Sequence, residues 1–127
     1  MNDSTPLALR LAALADSKLA EDIVVLDMRE LVSYTDFLVI SSARNERQLN
    51  AITDEVRKRL KQDEGLMPGR TEGSGGAGWA VLDYLDCVLH VFTPDARKRY
   101  DLEELWRDAP RVDVGDAAER ASRSASA

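Results

Sequence analysis

Two short, almost uninterrupted apolar runs constrain this chain more than any other feature. They are Asp22-Ile-Val-Val-Leu-Asp-Met28 and Asp36-Phe-Leu-Val-Ile-Ser-Ser42. Both are too short for a period to be read, so composition decides, and β-branched residues favour a strand. A strand with one wet face alternates apolar and polar residues; these two do not. Near-continuous apolar strands belong to a sheet covered on both faces, so the chain must also supply helices to cover it.

The helical segments are legible from their ends. Thr5-Pro6 combines a hydroxyl cap with a proline at the first helical position, and Leu7, Leu11 and Leu14 then recur on one face. A first helix is expected over 6–18. Asn45 with Gln48 resembles a capping box, and Leu49, Ile52, Val56 and Leu60 mark the buried face of a second helix that ends near Gln62, before Gly65. Its basic residues offer two readings, a nucleic-acid patch or a solvated face, and dilution by Asp54, Glu55, Asp63 and Glu64 favours the second. Thr93-Pro94 starts a brief helical turn. Asp101-x-x-Glu104 is a further capping box, with Tyr100 placed to staple onto Leu105 and a helix over 102–107 burying Leu105 and part of Trp106.

These elements give an α/β fold, a mixed sheet flanked by helices, in one domain over residues 1–110. The second helix is long enough for a crossover between neighbouring parallel strands. Residues 111–127 hold no aromatic residue and two valines, too little apolar surface to offset ordering, so they are expected to be a disordered tail.

Between Glu72 and Phe92 the chain reads EGSGGAGWAVLDYLDCVLHVF, a glycine run leading into a hairpin. A two-residue turn at Leu85-Asp86 sets Asp83 opposite Val88, Val81 opposite His90 and Trp79 opposite Phe92. Alternation then puts Trp79, Val81, Asp83, Val88, His90 and Phe92 on one face. Ala80, Leu82, Tyr84, Cys87, Leu89 and Val91 share the other, a plausible core in which Cys87 serves as a small hydrophobe. The first face mixes aromatics with a carboxylate and the chain's one histidine. Either a diagonal Asp83–His90 contact stabilises a half-buried surface, or aromatic anchors ringed by polar groups form a protein-binding patch.

A catalytic reading fits the residues poorly. Gly73-Ser74 followed by Asp83 and Asp86 faintly resembles nucleotidyltransferases, but carboxylates at i and i+3 across a turn do not converge on one metal ion. The glycines lead into a strand, not into a helix N-terminus that could cradle phosphate. The expectation is a non-enzyme with no catalytic residue, cofactor or metal. A net charge of −6 disfavours nucleic acid and favours a basic protein surface as partner. No apolar run approaches the roughly 20 residues that span a bilayer, and the N-terminus does not read as secretory, so a cytoplasmic location is expected.

The ordered set Asp22-Ile-Val-Val-Leu-Asp27, Thr35-Asp36-Phe-Leu-Val-Ile40, Glu72-Gly73, Trp79-Ala-Val-Leu-Asp-Tyr84, His90-Val-Phe92 and Arg99-Tyr-Asp-Leu-Glu-Glu-Leu-Trp106 resembles the ribosomal silencing factor (Iojap-like) family. The resemblance covers about residues 7–108. It implies a fold related in shape to nucleotidyltransferases without their active site. It also implies a translational repressor that binds the large ribosomal subunit through ribosomal protein number fourteen and blocks small-subunit joining when nutrients are short. A homodimer in isolation is implied as well. Carried over by motif, the protein-binding surface draws on Glu72, Trp79, Asp83, Tyr84, Asp86 and His90. Leu85 stands where relatives often have glycine. A nucleotidyltransferase-like enzyme and a ribosome-independent dimeric adaptor are the alternatives.

Overall fold

The computed structural model describes residues 3–114. Its elements are α1 (Thr5–Ser17), β1 (Glu21–Asp27), β2 (Phe37–Ser42), α2 (Glu46–Glu64), β3 (Arg70–Ser74), β4 (Trp79–Asp83), β5 (Cys87–Phe92), α3 (Pro94–Tyr100), α4 (Leu102–Leu105) and β6 (Arg111–Val112). A single 3-10 turn, Gly75–Ala77, joins β3 to β4. The strands form one six-stranded sheet in the order β3-β4-β5-β2-β1-β6. Among the described residues only β2 and β5 are parallel neighbours; the other pairs are antiparallel. The chain leaving β2 through α2 thus passes over two positions to the edge, and the hairpin then returns to β2's side.

The sheet is covered on both faces, as its apolar strands require. Every residue of β2 is buried. On one face Leu11, Leu14, Leu49, Ile52, Val56 and Leu60 of α1 and α2 close over Val25, Phe37, Val39, Leu82, Leu89 and Val91. The other face is covered by less: Ala96, Leu102, Trp106 and Ala109 pack on Leu26, Leu38, Ile40, Val81, Val88 and Phe92. This thinner layer stops short of β3.

The helix ends depart from the local signals in instructive ways. Thr5 does not cap α1; its hydroxyl and amide both donate to Asp3 Oδ1, while the Ser4 hydroxyl donates to Asp36 Oδ2 at 2.7 Å. At α2, Asn45 Oδ1 accepts from the Gln48 amide at 2.8 Å, as a capping box requires. Gln48 Oε1, however, accepts from the amide of Arg44, and Nε2 donates to the carbonyl of Leu19, tying the end of α1 to the start of α2. The helix runs to Glu64 before Gly65 turns left-handed at φ +63°.

Asp101 does not form the expected capping box. It adopts the left-handed conformation at φ +45° to break α3 from α4, and its side chain makes no cap hydrogen bond. Leu105 is consequently 65% exposed instead of buried, whereas Trp106 is half-buried as expected. The ordered body also continues past residue 110: Arg111 and Val112 pair with Leu26 and Val25 as an edge strand. The remainder of the expected tail, 115–127, lies outside the described residues. Among those described, no helix is long and apolar enough to cross a membrane.

Two of the positive-φ positions, Gly73 and Leu85, have opposite consequences. Gly73 sits at φ +78° where an added Cβ would meet the Trp79 carbonyl oxygen at 2.0 Å. Leu85 sits at φ +71°, its side chain 71% exposed, in a tight turn closed by the Asp86 amide on the Tyr84 carbonyl at 3.0 Å. A leucine there carries strain that glycine would not. Leu85→Gly should therefore raise stability by about 0.5–1 kcal/mol, and Gly73→Ala should lower it by at least about 2 kcal/mol. Chemical denaturation midpoints measure both; a destabilising Leu85→Gly would contradict the strained turn.

Candidate docking site

The observed hairpin register matches the sequence expectation, with Trp79 opposite Phe92, Val81 opposite His90 and Asp83 opposite Val88. Because facing residues share a side of the sheet, the pairings extend into rows across neighbouring strands. Glu72, Val81, His90 and Ile40 form one row; Arg70, Asp83, Val88 and Leu38 form another. Phe92, Val88 and Val81, expected on the open face, are buried beneath the α3–α4 layer. The accessible part is the β3–β4 side of the sheet, where that layer ends.

Trp79 and His90 lie at this boundary and bond to each other. The Trp79 Nε1–H donates to His90 Nδ1 at 3.1 Å, with the two rings within 4° of parallel. Phe92 continues the stack, 6.0 Å from Trp79 and 5.9 Å from His90. Tyr100, at the end of α3, closes against Trp79 at 4.9 Å. The diagonal Asp83–His90 contact, one of the two readings of this face, gives way to this indole–imidazole bond. Asp83 Oδ1 instead accepts from the Leu85 amide at 2.8 Å and fixes the turn.

Glu72 and Asp83 lie on the same face as Trp79 and His90. Glu72 is exposed on the edge strand and pairs with Arg70 at 2.7 Å. The exposed Asp86 anchors the turn through its backbone carbonyl, which accepts from the amides of Asp36 and Phe37 and from the Thr35 hydroxyl. Tyr84 does not join the others. It lies on the α1–α2 face, 4% exposed, its hydroxyl has no hydrogen-bond partner among the described residues, and burial pushes its pKa up to about 12. A surface residue on the Trp79 side cannot be reached from there.

Sequence reasoning missed Tyr100 and Arg70. Tyr100 read as a staple onto Leu105, and only the direction in which α3 crosses the sheet reveals it as part of the aromatic platform. Arg70 precedes Glu72 by two residues, which on a strand means the same face, so its pairing could have been found.

This arrangement suits recognition better than catalysis. A histidine whose Nδ1 already accepts a hydrogen bond, in a site that disfavours its charged form, is a poor general base. Cys87 is buried and its thiol pKa is pushed up to about 12 by burial, so it is not a ready nucleophile. Among the described residues no three His, Cys, Asp or Glu side chains are grouped to hold a metal ion.

Burial lowers the pKa of His90 from 6.5 to about 4, with Asp83 opposing weakly. Above pH 6.5 the imidazole is neutral whether the chain is folded or not. Between 6.5 and about 4 the unfolded chain binds a proton that the native state refuses, so stability falls with pH. His90→Gln keeps an acceptor for the indole and removes this loss. The wild type should lose on the order of 2 kcal/mol more than the variant between pH 7 and pH 5, measured by denaturant unfolding. Equal losses would show that His90 is not excluded from water.

A family model described as ribosomal silencing factor during starvation matches residues 1–127. The chain is 41% identical over 114 residues to the ribosomal silencing factor of Halalkalibacterium halodurans, covering 90% of this chain and 96% of that one. It is 37% identical over 114 residues to the ribosomal silencing factor of Bacillus subtilis, covering 90% and 95%. A crystal structure from Bacillus halodurans superposes with a TM-score of 0.72 at 37% identity, covering 86% of this chain and 99% of that one. The resemblance first carried by the hairpin and its neighbouring motifs thus extends along nearly the whole chain, in sequence and in fold, and the chain belongs to the ribosomal silencing factor family.

Proposed function

We propose that this chain represses translation in the cytoplasm by docking the Trp79–His90 platform on a basic protein of the large ribosomal subunit, ribosomal protein number fourteen. Occupying that surface excludes the small subunit sterically and requires no chemistry. The observation that carries the reading is an aromatic platform at the margin of the covered sheet, with Glu72 and Asp83 on the same face of the neighbouring strands and the exposed Asp86 at the hairpin turn. Half-buried aromatics held by neighbouring rings lose little freedom on binding, which suits them as anchors. The carboxylates steer a basic partner and fix its orientation more than they add affinity.

The chain's charge fits this target. A protein of net charge −6 approaching an RNA-rich particle is favoured to contact its exposed basic protein rather than its phosphates. Family resemblance supports the large subunit as the particle and a homodimer as the free form. A nucleotidyltransferase-like enzyme is disfavoured because Asp83 is engaged in the turn and Asp86 lies three residues on, across it.

Pelleting with purified large subunits and a subunit-joining assay test the reading. Trp79→Ala should weaken binding more than tenfold and relieve the block on joining. Glu72→Gln with Asp83→Asn keeps the turn acceptor and removes two charges, so binding should weaken mainly at low salt. Unchanged binding by both variants would refute the docking face, and a wild-type chain that binds without blocking joining would refute the steric mechanism.

A further inference from the structure

On the opposite side of the edge strand lies a cleft of about 350 Å³, between α2 and the segment leading into β3. Asp54, Arg57, Lys58 and Lys61 line its helix wall, a spacing that sets all four on one stripe of α2. Met67, Pro68 and Thr71 form the facing wall. Arg57, Lys58 and Lys61 are exposed, and none of them makes an ion pair among the described residues. Asp63, close by in sequence, is held by Arg10 and Arg59. The helix end does not need these cations either, since the amides of Gly65 and Leu66 satisfy the carbonyls of Lys61 and Leu60.

We infer that this cleft clamps the phosphodiester backbone of RNA beside the docking face. Three cations converge in a concavity against one carboxylate, on a chain whose overall charge is negative, so the cleft is a local site for anions. Arg57 to Lys61 spans about 6 Å along the helix, a reach that serves successive phosphates of one strand. The cleft is open, which suits a backbone passing across it more than a base held in a slot. Thr71, which lines the cleft, lies between Arg70 and Glu72 of the docking face, so the two surfaces share one strand. Resting on the proposed ribosomal docking, this means that a chain seated on a subunit protein presents the cleft to RNA flanking that protein. There it offsets the repulsion that the acidic chain otherwise meets. The contact carries position and not sequence.

Amide chemical shifts of the full chain, titrated with a mixed-sequence RNA duplex at low salt, test this directly. The expected result is movement confined to 57–61 and 67–71 that fades as salt rises and is lost in the combined variant Arg57→Gln, Lys58→Gln, Lys61→Gln. No movement there, or the same movement in the variant, would overturn the assignment. ATP reproducing that pattern as tightly as RNA would overturn it in favour of a small-molecule site. In large-subunit pelleting the triple variant should still bind at low salt, with a log–log salt slope shallower by about 2; a slope equal to the wild type's would overturn the placement beside RNA. A wild type that shows the RNA pattern but never pellets with large subunits would support the clamp and refute the silencing reading separately.

Discussion

The requirement that β2 be buried along its whole length organises this molecule. A strand apolar on both sides can sit only in the interior of a sheet with layers above and below it. Its parallel partner is β5, which brings the hairpin beside the centre of the sheet instead of leaving it as a detached ribbon. The backbone carbonyl of Asp86 reinforces this join by accepting from Asp36, Phe37 and Thr35 at the start of β2. Everything that makes the hairpin a rigid platform follows from its being built onto that strand.

The two faces of the hairpin divide along the thickness of their cover. Two full helices close over Leu82, Leu89 and Val91, so these side chains belong to the core. On the other side α3 and α4 are short, and Asp101 breaks them apart. They reach far enough to bury Phe92 and to rest Tyr100 on Trp79, but not to cover the edge strand. The Trp79–His90 bond lies where cover ends. A half-buried polar pair at such a margin satisfies its own hydrogen bond and keeps ring surface exposed, which is what an anchor for a partner needs.

Much of this was legible in the sequence because it is local or periodic. Alternation along β4 and β5 assigned each hairpin residue to its face, including Tyr84 to the core, although family motif placed Tyr84 with the binding residues. The structure sides with the alternation. What the sequence could not convey depends on contacts between distant segments. Nothing near Asp101 signals that it turns left-handed instead of capping a helix, and Leu105 is exposed as a result. Nothing near Tyr100 says that α3 points it at Trp79. The Asp83–His90 pairing was a reasonable inference from register, but the indole N–H competes for the same imidazole from an equally close diagonal position and needs no charge to do so. The basic stripe of α2 read as solvated because its acids were counted along the sequence; in three dimensions Asp63 is engaged elsewhere, and the segment before β3 turns the stripe into a cleft.

The central claim is that the open side of the β3–β5 sheet, and not the α1 side of the molecule, docks on the ribosomal protein. Amide hydrogen exchange of the chain with and without saturating purified large subunits tests it most directly. The account predicts slowed exchange in residues 70–74, 79–83 and 87–92 and around Tyr100, with α1 unchanged. Protection concentrated on α1, with the hairpin exchanging as in the free chain, would contradict it.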